Sequence, residues 1–328
     1  MKLKVPSAML IPKMNYRALG RTGLKVSEVG FGAWAIGGNQ FGNSYGPTDD
    51  QASLSAIQSA LDLGCNFFDT ADVYGHGHSE ELLGKALEGN RNDTIIATKV
   101  GGDFYHQPAS LNFRPEYLEF ALKKSCERLR TRYIDLYQLH TPPPQVLKSP
   151  EIFQTLERFR RDGLVRHYGV SIHNPQDGTE AIRTGYPQTV QVVFNILRQE
   201  AKNKLFKEAS DRKVGLIARE PLSNGFLTGK HTNADEHFPI GDIRHQFPGQ
   251  YVINLGQAVE KLRFLEHHGR SMAQACIRFV LDHKEIAVTI PGAKTSKQVE
   301  ENMNASTLSP LTGEELLRIR FLREQGFE

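Results

Sequence analysis

The sequence predicts an α/β protein, a (β/α)8 TIM barrel with an N-terminal β-hairpin and C-terminal helices, on three observations. Eight short apolar runs recur along the chain, helically spaced segments separate them, and all eight fall within about 260 residues, which matches the strand count and size of a closed parallel barrel. A doubly wound open sheet shows the same alternation and is the second choice. The chain has 328 residues, of which 39% are hydrophobic and 23% charged, enough apolar side chain to bury a sizeable core and to exclude disorder. It reads as a single domain, 1–328, with residues 1–14 as an N-terminal extension.

Taken in order, residues 15–27 carry Gly20, Gly23 and alternating polar and apolar positions, which predicts a hairpin plugging the bottom of the barrel. The strand-like runs follow at 28–34, 66–71, 94–100, 134–140, 165–171, 189–195, 213–218 and 286–291. Between them, Ile57, Ala60 and Leu61 share one helix face, and Leu118, Leu122, Cys126 and Leu129 share another. Helix starts are marked by Thr48 with Gln51 and Thr312 with Glu315, both spaced as capping boxes, and by Ser149 ahead of a proline. The irregular stretch 230–252, with Gly229, Pro239, Gly241, Pro248 and Gly249, is too long for a passive connection and predicts a lid.

Composition removes several functions. Forty Lys and Arg against 37 Asp and Glu leave a net charge of +3 with the signs interspersed, so no concentrated basic face exists for nucleic acid. Cys65, Cys126 and Cys276 are odd in number and form no CxxC pair, which excludes a zinc ribbon or disulfide scaffold and fits a reducing cytoplasm. Pro6 and Lys13 interrupt any N-terminal apolar core of a signal, and no run reaches the length of a membrane span. The expectation is a soluble, unprocessed protein whose partner is a small molecule. Self-association is compatible with the sequence, and no feature fixes the oligomeric state.

Three motifs are declined. Gly30-x-Gly32-x-x-Ala35 runs into Gly37, Gly38 and a polar loop, where a dinucleotide fingerprint would open a helix. Gly225-x-x-x-Gly229-Lys230 is one residue too short for a P-loop. His76, His78, His106, His267 and His268 lack metal-ligand spacing and read as solvated loop histidines, with no metal expected.

In a barrel the functional rim is the C-terminal end of the strands. Asp69 ends the second run, Tyr74 follows in a turn, Lys99 sits near the end of the third and His140 ends the fourth. An acid, a phenol, an amine and an imidazole on one rim describe a proton-transfer site. Lys99 beside Tyr74 is expected to lower the phenol from its ordinary value, with Asp69 keeping Lys99 charged.

These residues lie within DTADVYG, ATKV and DLYQLH, followed by VRHYGVS, PLSNGFLTGK and IPGAKTSKQVEENM. In this order the six segments resemble the aldo-keto reductases, over residues 15 to about 305. The resemblance implies a barrel that binds NADP(H) in extended form without a Rossmann domain, with Asp69, Tyr74, Lys99 and His140 as the catalytic residues. It places Ser171 and Gln191 on the nicotinamide carboxamide, with Asn174 as the alternative where Ile172 replaces the usual Asn. Arg219 stands where many members stack a tyrosine on the ring, and Trp34 walls the pocket together with residues near Phe104 and Tyr105. The pyrophosphate segment brings Pro221, Leu222, Gly225, Leu227, Gly229 and Lys230. Gly292, Lys294, Gln298, Glu301 and Asn302 match the adenine end, where Lys294 is positioned for a 2′-phosphate, so NADP(H) is favoured over NAD(H).

The implied function is reduction of aldehydes or ketones to alcohols, or the reverse, with Tyr74 as general acid. The alternative is a cofactor-binding regulatory subunit resembling the potassium-channel β subunits. A barrel aldolase using Lys99 as a Schiff base is a third reading, and it requires a neutral amine.

Overall fold

In the computed structural model, residues 14–42, 44–233, 237–267 and 269–327 are described. Its centre is eight parallel strands: β1 (Phe31–Gly32), β2 (Phe67–Asp69), β3 (Ile95–Val100), β4 (Ile134–His140), β5 (Val165–Ser171), β6 (Thr189–Val193), β7 (Gly215–Arg219) and β8 (Ile286–Thr289). Each pairs in parallel with the next in chain order. The ring closes between the first and last strands. Parallel bridges join Val29 to Thr289 and Gly32 to Gly292, and the Gly30 and Gly32 amides donate to Thr289 O (2.8 Å) and Pro291 O (3.1 Å). This closure decides for the barrel over the open sheet.

Gly32 explains its own motif. A Cβ there would stand 2.6 Å from Ile290 O, so the glycine serves backbone approach at the barrel seam, not a phosphate. The strand also ends sooner than its apolar run: Ala33–Ile36 form a 3-10 turn, which carries Trp34 off the strand and onto the rim.

Side chains alternate across a strand, and here the alternation divides the barrel. Phe67, Ile95, Ala97, Leu136, Ile217 and Val288 fill the lower interior together with Leu19 and Val26. The latter two belong to the hairpin Tyr16–Ala18 and Lys25–Ser27, so the expected plug is in place. Two residues further along the same inward faces stand Asp69, Lys99, Gln138 and Arg219, with His140 two beyond Gln138. The apolar floor and the polar rim therefore come from one periodicity.

Helix starts are partly as expected. Thr312 and Glu315 form the reciprocal box that opens Gly313–Glu324. Helix Asp50–Asp62 is capped instead by Asp49, which accepts from Ala52 N at 2.7 Å, because Asp50 is already helical and Thr48 lies one residue too early. Ser149 precedes Pro150 at the start of Pro150–Arg161 without a side-chain cap bond. Within the stretch 230–252, Ile243 N donates to Ser44 O at 2.7 Å and Asp242 bridges both Ser44 and Tyr45, which seats that part on the loop after β1. Of the expected extension, residues 1–13 lie outside the described residues, and Met14 is buried in the core. Among the described residues no helix is long and apolar enough to cross a membrane.

Candidate active site

Lys99 is fully buried at the centre of the rim. Its ammonium donates to Asp69 Oδ1 (2.5 Å), Thr70 O (2.9 Å) and the Tyr74 hydroxyl (3.1 Å). Those bonds use all three of its protons. Asp69 Oδ2 accepts from Gln191 Nε2 (2.7 Å) and Gln138 Nε2 (3.3 Å), so the carboxylate is satisfied on both oxygens. The His140 ring meets the Tyr74 ring edge-on with centroids 5.9 Å apart. All four residues expected at the rim are thus brought together. Gln138 was missed, although its place between Leu136 and His140 on the inward face of β4 is a readable signal.

Burial works against the charge on Lys99, but Asp69 and Tyr74 outweigh it and hold the ammonium above its ordinary value. Burial also pushes the Tyr74 phenol up, more strongly than Lys99 pulls it down. The expected net lowering by Lys99 is therefore reversed, because the phenol is desolvated by the same walls that bury the lysine. His140 lies well below its ordinary value, through burial and then the positive charges of Lys99 and Arg219, so its imidazole is neutral at physiological pH. Tyr74 is a protonated phenol beside a neutral imidazole.

Asp69, Tyr74 and His140 open onto a cavity of about 530 Å³ that runs along the ends of β7 and β8 to Lys294 and Gln298, with Lys99 behind its lining. Trp34, Gln191, Arg219, Pro221 and Leu222 line it, as do Gly225, Lys230, Gly292, Lys294 and Gln298. Five of the expected cofactor contacts stand outside the lining. Ser171 Oγ donates to Gln191 Oε1 at 3.4 Å from behind, and Leu227 is fully buried. Gly229 O accepts from Arg263 at 2.8 Å. Asn302 Nδ2 donates to Gly292 O at 3.3 Å, and Glu301 O accepts from Gln274 at 3.2 Å. Asn174, the alternative carboxamide contact, caps helix Pro175–Thr184 through Gln176 N at 3.0 Å; His173 lines the cavity in its place.

The cavity wall from Glu220 to Gly225 is strained. Glu220, Ser223 and Asn224 have φ of 55°, 45° and 54°, a left-handed conformation that costs about 1–2 kcal/mol per residue. Gly225, at φ 91°, extends the turn without that cost. Asn195 Nδ2 donating to Glu220 O (2.8 Å) and Tyr45 OH to Asn224 Oδ1 (2.9 Å) hold it. Arg219 pairs with Glu220 through Nη1, gives Nη2 to His173 Nδ1 (2.7 Å) and Ile172 O (3.3 Å), and keeps Nε buried without a partner. Lys294 Nζ donates to Tyr45 O (2.6 Å) and Pro47 O (3.1 Å), which ties the loop after β1 to the cavity mouth.

Outside the lining, Phe41, His76, Phe104 and Tyr105 stack in a column with successive centroids 4.0, 4.5 and 4.2 Å apart. Phe104 and Tyr105 thus stand in this column, away from the Trp34 wall. His76 and His106 are exposed, as expected of solvated loop histidines, though His76 joins this stack and His106 meets Asp103 at 3.0 Å; His78 instead begins helix His78–Leu87 and meets Asp50 at 2.8 Å. His268 lies outside the described residues.

A sequence profile of the aldo/keto reductase family matches residues 28–324. The chain belongs to the aldo/keto reductase family. It is 31% identical over 310 residues to aldo-keto reductase YhdN of Bacillus subtilis, covering 92% of this chain and 89% of that one. An aldo-keto reductase of Bacillus halodurans in its holo form superposes with a TM-score of 0.78 at 29% identity, over 94% of this chain and 96% of that one. Glycerol dehydrogenase of Gluconobacter oxydans gives 0.77 at 29%, over 97% of each. A protein described as a probable voltage-gated potassium channel subunit beta of Oryza sativa subsp. japonica is 28% identical, over 93% of this chain and 94% of that one.

Aldo/keto reductases work with nicotinamide cofactors, and the cavity suits one. Its volume is that of a cofactor site, Gly225 in the left-handed turn lets the wall backbone come close to a bound group, and the far end borders the N-terminus of helix Ser296–Asn304. Neither Lys230 nor Lys294 has a carboxylate ion pair among the described residues. The orphaned Arg219 Nε marks a polar wall at the catalytic end.

Proposed function

We propose that this chain reduces aldehydes or ketones to alcohols, or runs the reverse reaction, with Tyr74 as general acid and NADP(H) preferred over NAD(H), in the cytoplasm. The observation that carries the reading is the Lys99 ammonium, whose third proton goes to the Tyr74 oxygen. That oxygen accepts from Lys99, which leaves the Tyr74 proton for a group bound in the cavity that Tyr74 lines.

Bound in the cavity, the reduced nicotinamide supplies the hydride. Tyr74 gives its proton to the carbonyl oxygen as negative charge grows there, and Lys99 stabilises the phenolate left behind. Neutral His140 donates a hydrogen bond to the same oxygen and orients it. Asp69, locked by Gln138 and Gln191, keeps Lys99 charged. A charged, fully bonded Lys99 argues against a Schiff-base aldolase, which borohydride trapping would detect. The regulatory-subunit reading draws on the plant potassium-channel relative, and the complete acid–base set favours the enzyme. Consumption of NADPH with 4-nitrobenzaldehyde tests the proposal, and Tyr74→Phe should lower that rate about 10²- to 10⁴-fold while cofactor affinity stays within a few fold. Equal loss of binding and turnover would sink the assignment.

A further inference from the structure

Arg219 ends β7 on its inward face and reaches the cavity wall near Tyr74 and His140. Its guanidinium is clamped from two sides, by the Glu220 carboxylate and by Ile172 O with His173 Nδ1. It is therefore not at liberty to turn and pair with an anion on a ligand, and its charge acts through space. The Glu220 backbone is left-handed, and Asn195 Nδ2 donates to its carbonyl at 2.8 Å. A strained residue held by its surroundings at a cavity wall invites a functional explanation.

We infer that Glu220 sets the net charge of the wall at the catalytic end of the cavity, and thereby how strongly the protein prefers one redox form of the nicotinamide over the other. This rests on the reading of the cavity as a nicotinamide site. The oxidised ring carries a positive charge and the reduced ring carries none. An uncompensated guanidinium at the wall repels the oxidised ring and leaves the reduced one nearly unaffected, whereas a carboxylate paired with that guanidinium cancels much of the repulsion. Both side chains are mostly buried, at 16% and 22% exposure, so solvent screens the pair only partly. The lowered pKa of His140, to which Arg219 contributes, is consistent with the guanidinium being felt across the site.

The test is fluorescence titration of NADP⁺ and NADPH against three variants. Glu220→Gln keeps an acceptor for Arg219 and removes the charge; it should raise the Kd for NADP⁺ at least about fivefold relative to that for NADPH. Arg219→Gln leaves the carboxylate and should move the ratio the other way, while the double variant should return it to within about twofold of the unaltered protein. Parallel weakening of both forms by Glu220→Gln, or an unchanged ratio, would overturn the inference, since a residue that only shapes the turn affects both forms alike. If the unaltered protein bound neither form, the reading of the cavity would fall first and this inference with it.

Discussion

Gln191 donates its side-chain amide to Asp69 Oδ2 across 2.7 Å, joining a residue on the cavity wall to the carboxylate that holds Lys99. With Nε2 committed to Asp69, Oε1 is the end left for Ser171, whose Oγ donates to it at 3.4 Å from behind the lining. The charge on Asp69 thus fixes which way the amide faces.

Gln138→Leu and Gln191→Leu each remove one donor from a buried carboxylate, and each should lower unfolding stability by about 1.5–3 kcal/mol. Only Gln191 lines the cavity, so only its variant should also weaken cofactor binding. Urea unfolding and cofactor titration on both proteins give the comparison; equal binding loss would show that the effect travels through Asp69.

Lys99→Met should nearly silence carbonyl reduction and leave Asp69 as an uncompensated buried charge, at a cost of about 3–5 kcal/mol in stability. The ammonium is held above its ordinary value in the folded protein. Its contribution is therefore full below the unfolded pKa of about 10.4 and is lost as pH rises through the folded value. Alkaline unfolding curves should show that loss in the unaltered protein and not in the variant.

His140 has the opposite sign. Its folded pKa is depressed, so its contribution is present above about 6.5 and disappears as pH falls toward the folded value. His140→Gln should flatten the acid side of the stability profile between those limits, as read by thermal melting from pH 7 downward.

Lys294→Ala should weaken NADPH about ten- to a hundredfold, by loss of a charge-assisted contact to the 2′-phosphate, and leave NADH nearly unchanged. Because Lys294 also holds the carbonyls of Tyr45 and Pro47, amide exchange in residues 44–46 should quicken even without cofactor. Equal weakening of both cofactors would mean that the lysine only shapes the loop.

The strands were legible because apolar runs between helical segments have few other solutions, and the four rim residues because they sit at or near strand ends. The balance of forces on Tyr74 was not: the charge of Lys99 is visible in a sequence, whereas the depth to which the phenol is desolvated depends on the packed walls. Nor were the competing duties of polar groups. Asn174 has the chemistry to meet a carboxamide and is spent on a helix cap, a choice decided by where Pro175 starts the helix. Likewise Asp49 took the cap expected of Thr48, a shift of one residue that capping patterns do not resolve.

The column of Phe41, His76, Phe104 and Tyr105 draws its rings from the loops after β1, β2 and β3. Those three loops form one mechanical unit. Anyone redesigning selectivity by exchanging loops with another barrel has to transplant the three together, because a chimera importing a single loop inherits a stack with one plate missing and neighbours shaped for a ring that is gone.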